Sequence, residues 1–147
     1  MKITEILTAE HAVFHNLFDH LEKVTPRLRT LAEVKTVAAL MEAVMREHSQ
    51  TEDDLLIGPL EPSFEEIGQR ETFHHEHDLI EQNVALLQKA KQVKMARQLL
   101  LATVVLCRSH FDKEERIVFP MAERVLKTKT LSELGSQWLK RREALVK

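Results

Sequence analysis

Residues His110–Pro120 read HFDKEERIVFP, and residues His48–Pro59 read HSQTEDDLLIGP. In each, a histidine is followed four residues later by a glutamate, then by a second acid, and an aliphatic residue stands two places further on. A proline follows ten or eleven residues past the histidine. Residues four apart share a helix face, so each stretch presents an imidazole and a carboxylate side by side. Apolar residues at helical spacing run up to the first stretch at Val37, Leu40, Met41 and Val44, and a second such run from Leu99 leads into the other. The two segments read as the same helix written twice.

Upstream of each lies another matched pair. Glu10, His11, Phe14, Phe18 and Leu21 correspond in type and spacing to Glu76, His77, Ile80, Val84 and Leu87. The chain is therefore two copies of a helix pair, each with an E-H helix followed by an H-x-x-x-E helix. The pattern predicts helix A over about Thr4–Val24, closed by Pro26. Helix B opens at the capping pair Thr30 and Glu33 and breaks at Gly58 and Pro59. Helix C is capped by Ser63 and Glu66 and ends between Lys89 and Lys94. Helix D runs from Leu99 to about Lys127, with Pro120 kinking it or beginning a separate last turn. A last capping pair, Thr130 and Glu133, introduces a basic segment with Leu134, Trp138 and Leu145 on one side. The fold expected is an all-α, antiparallel up-down-up-down four-helix bundle over residues 1–127, with a short C-terminal fifth helix, 128–147, packed on it.

Composition agrees. Of 147 residues 44% are hydrophobic and 30% charged, with only three glycines and four prolines, too few turns for a protein of many strands. The length suits one core. A formal charge of -2 offers nothing to nucleic acid or an anionic membrane, and no apolar run approaches a membrane span or signal peptide. One cysteine, Cys107, excludes an internal disulfide, and a cytoplasmic location is expected.

Eight histidines in a short chain call for a role. At about 1.5 Å per residue, His77 and His110 lie at similar heights on adjacent antiparallel helices, and His11 and His48 do the same across the A–B turn. His11, His48, Glu52, His77, His110 and Glu114 would then point into one apolar interior beside Phe14, Leu55, Ile80 and Ile117. Two buried carboxylates repel and need protons or cations between them. Two metal ions meet that need, and mixed imidazole and carboxylate donors suit iron, with manganese or zinc possible. In this reading Glu52 and Glu114 bridge the ions, two histidines terminate each, and an oxide or hydroxide forms a third bridge. That leaves a sixth position open to dioxygen, peroxide or nitric oxide. Glu115 competes with Glu114 as bridge, and Glu81 and His15 are weaker candidates. Cys107 reads as a small buried residue, and Lys140, Arg141 and Arg142 as a solvated face.

These motifs, with HFDKEERIVFP above all, resemble the hemerythrin, or HHE cation-binding, family across helices A to D. The resemblance implies a four-helix bundle around a non-haem di-iron centre, in a family that includes oxygen carriers, iron or oxygen sensors and proteins of nitric oxide stress and iron–sulfur repair. The family's ligands fall on His11, His48, Glu52, His77, His110 and Glu114. Oxygen-carrying members have a further histidine four residues before the position of His77, where this chain has Phe73. His74, one residue on, is a further candidate ligand, although its direction differs by about 100°. The four-histidine, two-glutamate set favours redox or nitric oxide chemistry over oxygen carriage. A sensor or metal store without turnover is the alternative, and any protein partner is left open.

Overall fold

A computed structural model describes all 147 residues. Helix α1 spans Ile3–Val24 and ends in a 3-10 turn at Thr25–Arg27, where Pro26 can start a turn but cannot donate to the preceding helix. Helix α2, Leu31–Glu52, opens on the expected capping box: the Thr30 side chain accepts from the Glu33 N–H at 3.2 Å, and the Glu33 carboxylate accepts from the Thr30 N–H at 3.0 Å.

Gly58 and Pro59 do not break the second helix. The chain passes through a wide π turn at Asp53–Ile57, in which the Gly58 N–H reaches back five residues to the Asp53 carbonyl, and continues as α3, Gly58–Glu66. Pro59 thereby falls in the first turn of α3, where an absent N–H costs little. Ser63 and Glu66 lie inside α3 and cap nothing. The reversal comes at Gly68, whose φ of 68° is open to glycine and strained for other residues. Helix α4, Arg70–Lys89, thus starts later than the capping spacing suggested, and α5, Val93–Lys113, starts six residues before Leu99.

The second proline repeats the device of the first. A π turn at Glu114–Val118, closed by the Phe119 N–H on the Glu114 carbonyl, puts Pro120 in the first turn of α6, Phe119–Val125, so the proline begins a separate short helix, the second of the two outcomes expected there. Ile117 in this turn, expected inside, faces outward and is 39% exposed. Helix α7, Thr128–Val146, begins two residues before the expected cap at Thr130 and packs along α1. Gly135 permits that contact, since a Cβ there would stand 2.2 Å from the Met1 carbonyl oxygen.

The result is a helical bundle plus a C-terminal helix, without strands. No helix is long and apolar enough to cross a membrane. The interior is not one core but two apolar clusters. Phe14, Phe18, Leu21, Met41, Leu100, Val104 and Phe111 form one; Ile3, Leu7, Leu56, Leu60, Phe64, Phe73 and Leu131 belong to the other. The chain crosses from one cluster to the other along α1, α2, α4 and α5, and at each crossing stands a histidine: His11 between Leu7 and Phe14, His48 between Met45 and Leu55, His77 between Phe73 and Ile80, His110 between Cys107 and Val118.

Candidate metal centre

His11, His48, Glu52, His110 and Glu114 are buried to within 3% of full enclosure, and the His77 side chain is 17% exposed. Polar groups at that depth in an apolar interior are costly unless they meet one another or an ion. They do converge. His11 Nε2 lies 3.2 Å from His48 Nε2, His77 Nε2 lies 2.7 Å from His110 Nε2, and Glu114 spans the pairs, with Oε2 at 3.1 Å from His11 Nε2 and Oε1 at 2.5 Å from His110 Nε2. Glu52 Oε2 is 3.7 Å from His48 Nε2. Two donor sets result, His11–His48–Glu52–Glu114 and His77–His110–Glu114, each with its ligand atoms within 4.8 Å of one another. Glu114 belongs to both.

The opposite ring nitrogens explain why the inner ones are free. His48 Nδ1–H donates to Glu10 at 2.8 Å, His110 Nδ1–H to Glu76 at 3.0 Å and His11 Nδ1–H to Glu115 at 2.9 Å; His77 Nδ1 faces Asp53 at 3.9 Å. An ionised carboxylate only accepts, so these partners place the proton on Nδ1 and leave the Nε2 lone pairs aimed inward. Glu10 and Glu76 reach across from the E-H helices to the histidines of α2 and α5. Glu115 and Asp53 make the return reach to the histidines of α1 and α4. The pseudo-twofold pattern of the sequence thus recurs in the outer carboxylates, as hydrogen bonds at His11, His48 and His110 and as a longer approach of Asp53 to His77.

Charges inside the site are out of balance. Glu52 Oε1 and both Glu114 oxygens are buried without a hydrogen-bond partner, since the short approaches to the imidazoles lack hydrogen-bonding angles. Burial and the charge of Glu114 push the Glu52 carboxyl well above the usual range. Burial acts on Glu114 in the same sense, but His110 and His11 outweigh it and hold that carboxyl well below. Burial and the positive charge of His110 bring His77 down to about 4. For His110 burial is outweighed by Glu114 and Glu76, which raise it to about 9. Without a cation the site therefore favours the neutral carboxyl at Glu52 and the protonated imidazole at His110. Facing imidazole lone pairs with orphaned carboxylate oxygens between them fit metal ions as donors, and the protons are substitutes for those ions.

Of the seven residues singled out in the sequence, six meet here and His74 does not. It lies on the exposed face of α4, with Nε2 at 3.0 Å from Glu61 Oε1. Phe73 instead turns inward, fully buried, with its ring centroid 5.0 Å from His77 and 5.1 Å from His110. His15 is bound to Arg108 at 3.0 Å, Glu81 is exposed, and Glu115 sits behind His11 rather than between the donor sets. The outer roles of Glu10, Glu76 and Asp53 were not foreseen; the repeated E-H dipeptide and the second acid after each glutamate were their signal. Phe111 closes the site from the first apolar cluster, stacked on His11 with centroids 3.9 Å apart and planes 11° apart.

One side is open. A cleft of about 560 Å³ between α2 and α4 runs past Met45, Ile80 and Cys107 to Asp53, His77 and His110. Burial pushes the Cys107 thiol up to about 12, so it is an inert wall of that cleft. No curated protein and no solved structure matches the chain at a significant level. Residues 2–125 match the hemerythrin HHE cation binding domain. That match takes in every helix that contributes to the histidine and glutamate cluster, a cluster able to hold metal, and the chain belongs to the hemerythrin HHE cation-binding family.

Proposed function

We propose that the six inward donors hold two iron ions and that the pair binds or reduces a small ligand, dioxygen, peroxide or nitric oxide, in defence against oxidative or nitrosative stress. The observation that carries this reading is the position of Glu114, common to two donor sets that each bring two imidazole lone pairs. Bound iron supplies an open coordination position and electrons for a diatomic or peroxide ligand.

The chain's own residues do the rest. His11, His48 and Glu52 would hold one ion, His77 and His110 would hold the other, and Glu114, which belongs to both donor sets, would serve either. Glu10, Glu76 and Glu115 fix the rings of His48, His110 and His11 and raise their basicity as ligands, and Asp53 stands 3.9 Å behind His77. Phe73 occupies the side of the second set where a further histidine would stand, which supports an ion with fewer protein ligands and favours ligand chemistry over oxygen carriage. The cleft between α2 and α4 supplies the path for a small ligand.

Reconstitution with ferrous iron under anaerobic conditions should load two ions per chain. Stopped-flow mixing of that protein with nitric oxide or peroxide should show repeated consumption when electrons are supplied. Stoichiometric binding without turnover would replace this reading with that of a sensor or store, and failure to take up iron would end it.

A further inference from the structure

The internal repeat is complete among the ligands and incomplete behind them. In the second half, Glu76 accepts from His110 Nδ1–H and is itself ion-paired to Lys113, three residues after that histidine. The matching position in the first half, three residues after His48, is Thr51, which carries no charge. Glu10 nevertheless has a cation. Arg142 of α7 sends Nη2 to Glu10 Oε1 at 3.0 Å and Nη1 to Thr51 Oγ1 at 2.9 Å, and its guanidinium carbon sits 4.8 Å over the Trp138 ring. Trp138 Nε1–H donates to the other Glu10 oxygen at 3.3 Å, the oxygen that accepts from His48. Arg142, expected to be solvated, is 80% enclosed, its side chain keeping only 20% of its exposure.

The geometry points to Arg142 as a positioning residue for the His48 side of the metal centre: helix α7, which lies beyond the matched residues 2–125, delivers the cation that Lys113 provides in the other half. The inference rests on the metal reading above. Arg142 touches no ligand atom. It neutralises and orients Glu10, Glu10 orients His48, and the fork of the guanidinium also pins Thr51, one residue before Glu52. A partly buried carboxylate without its cation would be less firmly charged and less firmly placed, and His48 would lose part of its fixed orientation.

The test uses Arg142→Met, which keeps the apolar stem over Trp138 and removes the charge, in the full-length chain. Release of iron to a chelator is followed for each of the two ions. Outer partners of metal ligands are commonly worth about 10–100-fold in affinity, and a residue one step behind such a partner should fall at the low end. We expect one ion to leave roughly tenfold faster and the other to leave at the parent rate. Thr51→Lys added to Arg142→Met should restore slow release, because it places a cation where Lys113 stands in the repeat. In metal-free protein, the Nδ1 proton of His48 should exchange with solvent faster in Arg142→Met than in the parent, and slowly again in the double variant. Parent-like release of both ions, equal acceleration of both, or no rescue by Thr51→Lys would each overturn the assignment. Should the parent protein take up no iron, the metal reading fails, while the His48 proton exchange still decides the role of Arg142.

Discussion

Glu52→Gln removes a charge from the centre of the protein with almost no change of shape, and its effect should reverse sign with metal. Burial and Glu114 hold the Glu52 carboxyl well above its ordinary value of 4.5, so the metal-free folded chain keeps a proton that the unfolded chain releases above that pH. Where the folded state binds one more proton, stability falls by about 1.4 kcal/mol per pH unit as pH rises. Over the pH range in which folded Glu52 still holds that proton, metal-free parent protein should therefore lose stability as pH rises. Glutamine is neutral throughout and has no such slope. The other perturbed groups act in both proteins: Asp53 at about 6 and His110 at about 9 also lower stability as pH rises towards those values, and His77 at about 4 raises it between about 4 and 6.5. The difference between the two chains isolates Glu52. Urea unfolding of both, stripped of metal, should show Glu52→Gln gaining on the parent as pH rises above the ordinary carboxyl value of 4.5. With iron at 100 times its dissociation constant the parent should recover about 2.7 kcal/mol, and the variant less, having lost a ligand. A stability difference independent of pH, or a metal-free variant less stable than the parent at pH 7, would refute the picture of two buried carboxyls competing for one proton.

Removal of single donors should be selective: Glu114→Ala empties both positions, His48→Ala and His77→Ala each release one ion, and His74→Ala releases none, as read by metal analysis after gel filtration. Iron binding near pH 7.5 should liberate a proton from His110, which is raised to about 9; a weakly buffered titration without acid release would contradict the geometry. Phe111→Ala deletes the ring stacked on His11 and should cost about 3–5 kcal/mol of stability to thermal or urea unfolding, as large aromatic truncations in cores do. Gly135→Val drives a side chain onto the Met1 backbone and should release α7, so that its amides exchange faster and one ion is lost as readily as in Arg142→Met.

The helical class and the pairing of helices were legible because the period of the apolar residues and the double H-x-x-x-E pattern point the same way. The ends of helices were less legible, and for one reason at both places. Pro59 was read as a break and Pro120 as a kink or the start of a separate turn, and each in fact follows a turn widened by one residue, which moves the proline into a first helical turn where it needs no N–H partner. A π turn leaves no local signature in composition. Its position here, directly after Glu52 and beginning at Glu114, is informative in retrospect, since such turns gather at functional sites and rotate the residues beyond them. Ile117 is exposed while the equivalent Leu55 stays buried, so the turn alone does not decide which way this position faces. Turn residues misled in the same way at Ser63 and Glu66, whose capping spacing falls within α3 and is overruled by the packing of Phe64 and Leu60 into the apolar cluster.

The donors themselves were legible because an imidazole and a carboxylate on one helix face can be counted from sequence. What surrounds them required three dimensions. Glu10 serves His48, not its neighbour His11, and Glu76 serves His110, not His77, because a side chain next to a ligand on the same helix points about 100° away and meets the adjacent helix instead. The E-H dipeptide is therefore a crossing device: each copy supplies a ligand to the centre and an anchor to the ligand of the following helix. An anchor that carries charge needs a counter-charge at the same depth, and the two halves obtain it from different places, Lys113 on α5 and Arg142 on α7. Nothing in the repeat required the second source to lie near the end of the chain. The absence of a lysine at Thr51 is the one mark in the sequence that the first half has to find its cation elsewhere, and the basic face of α7, read as solvated, is where it is found.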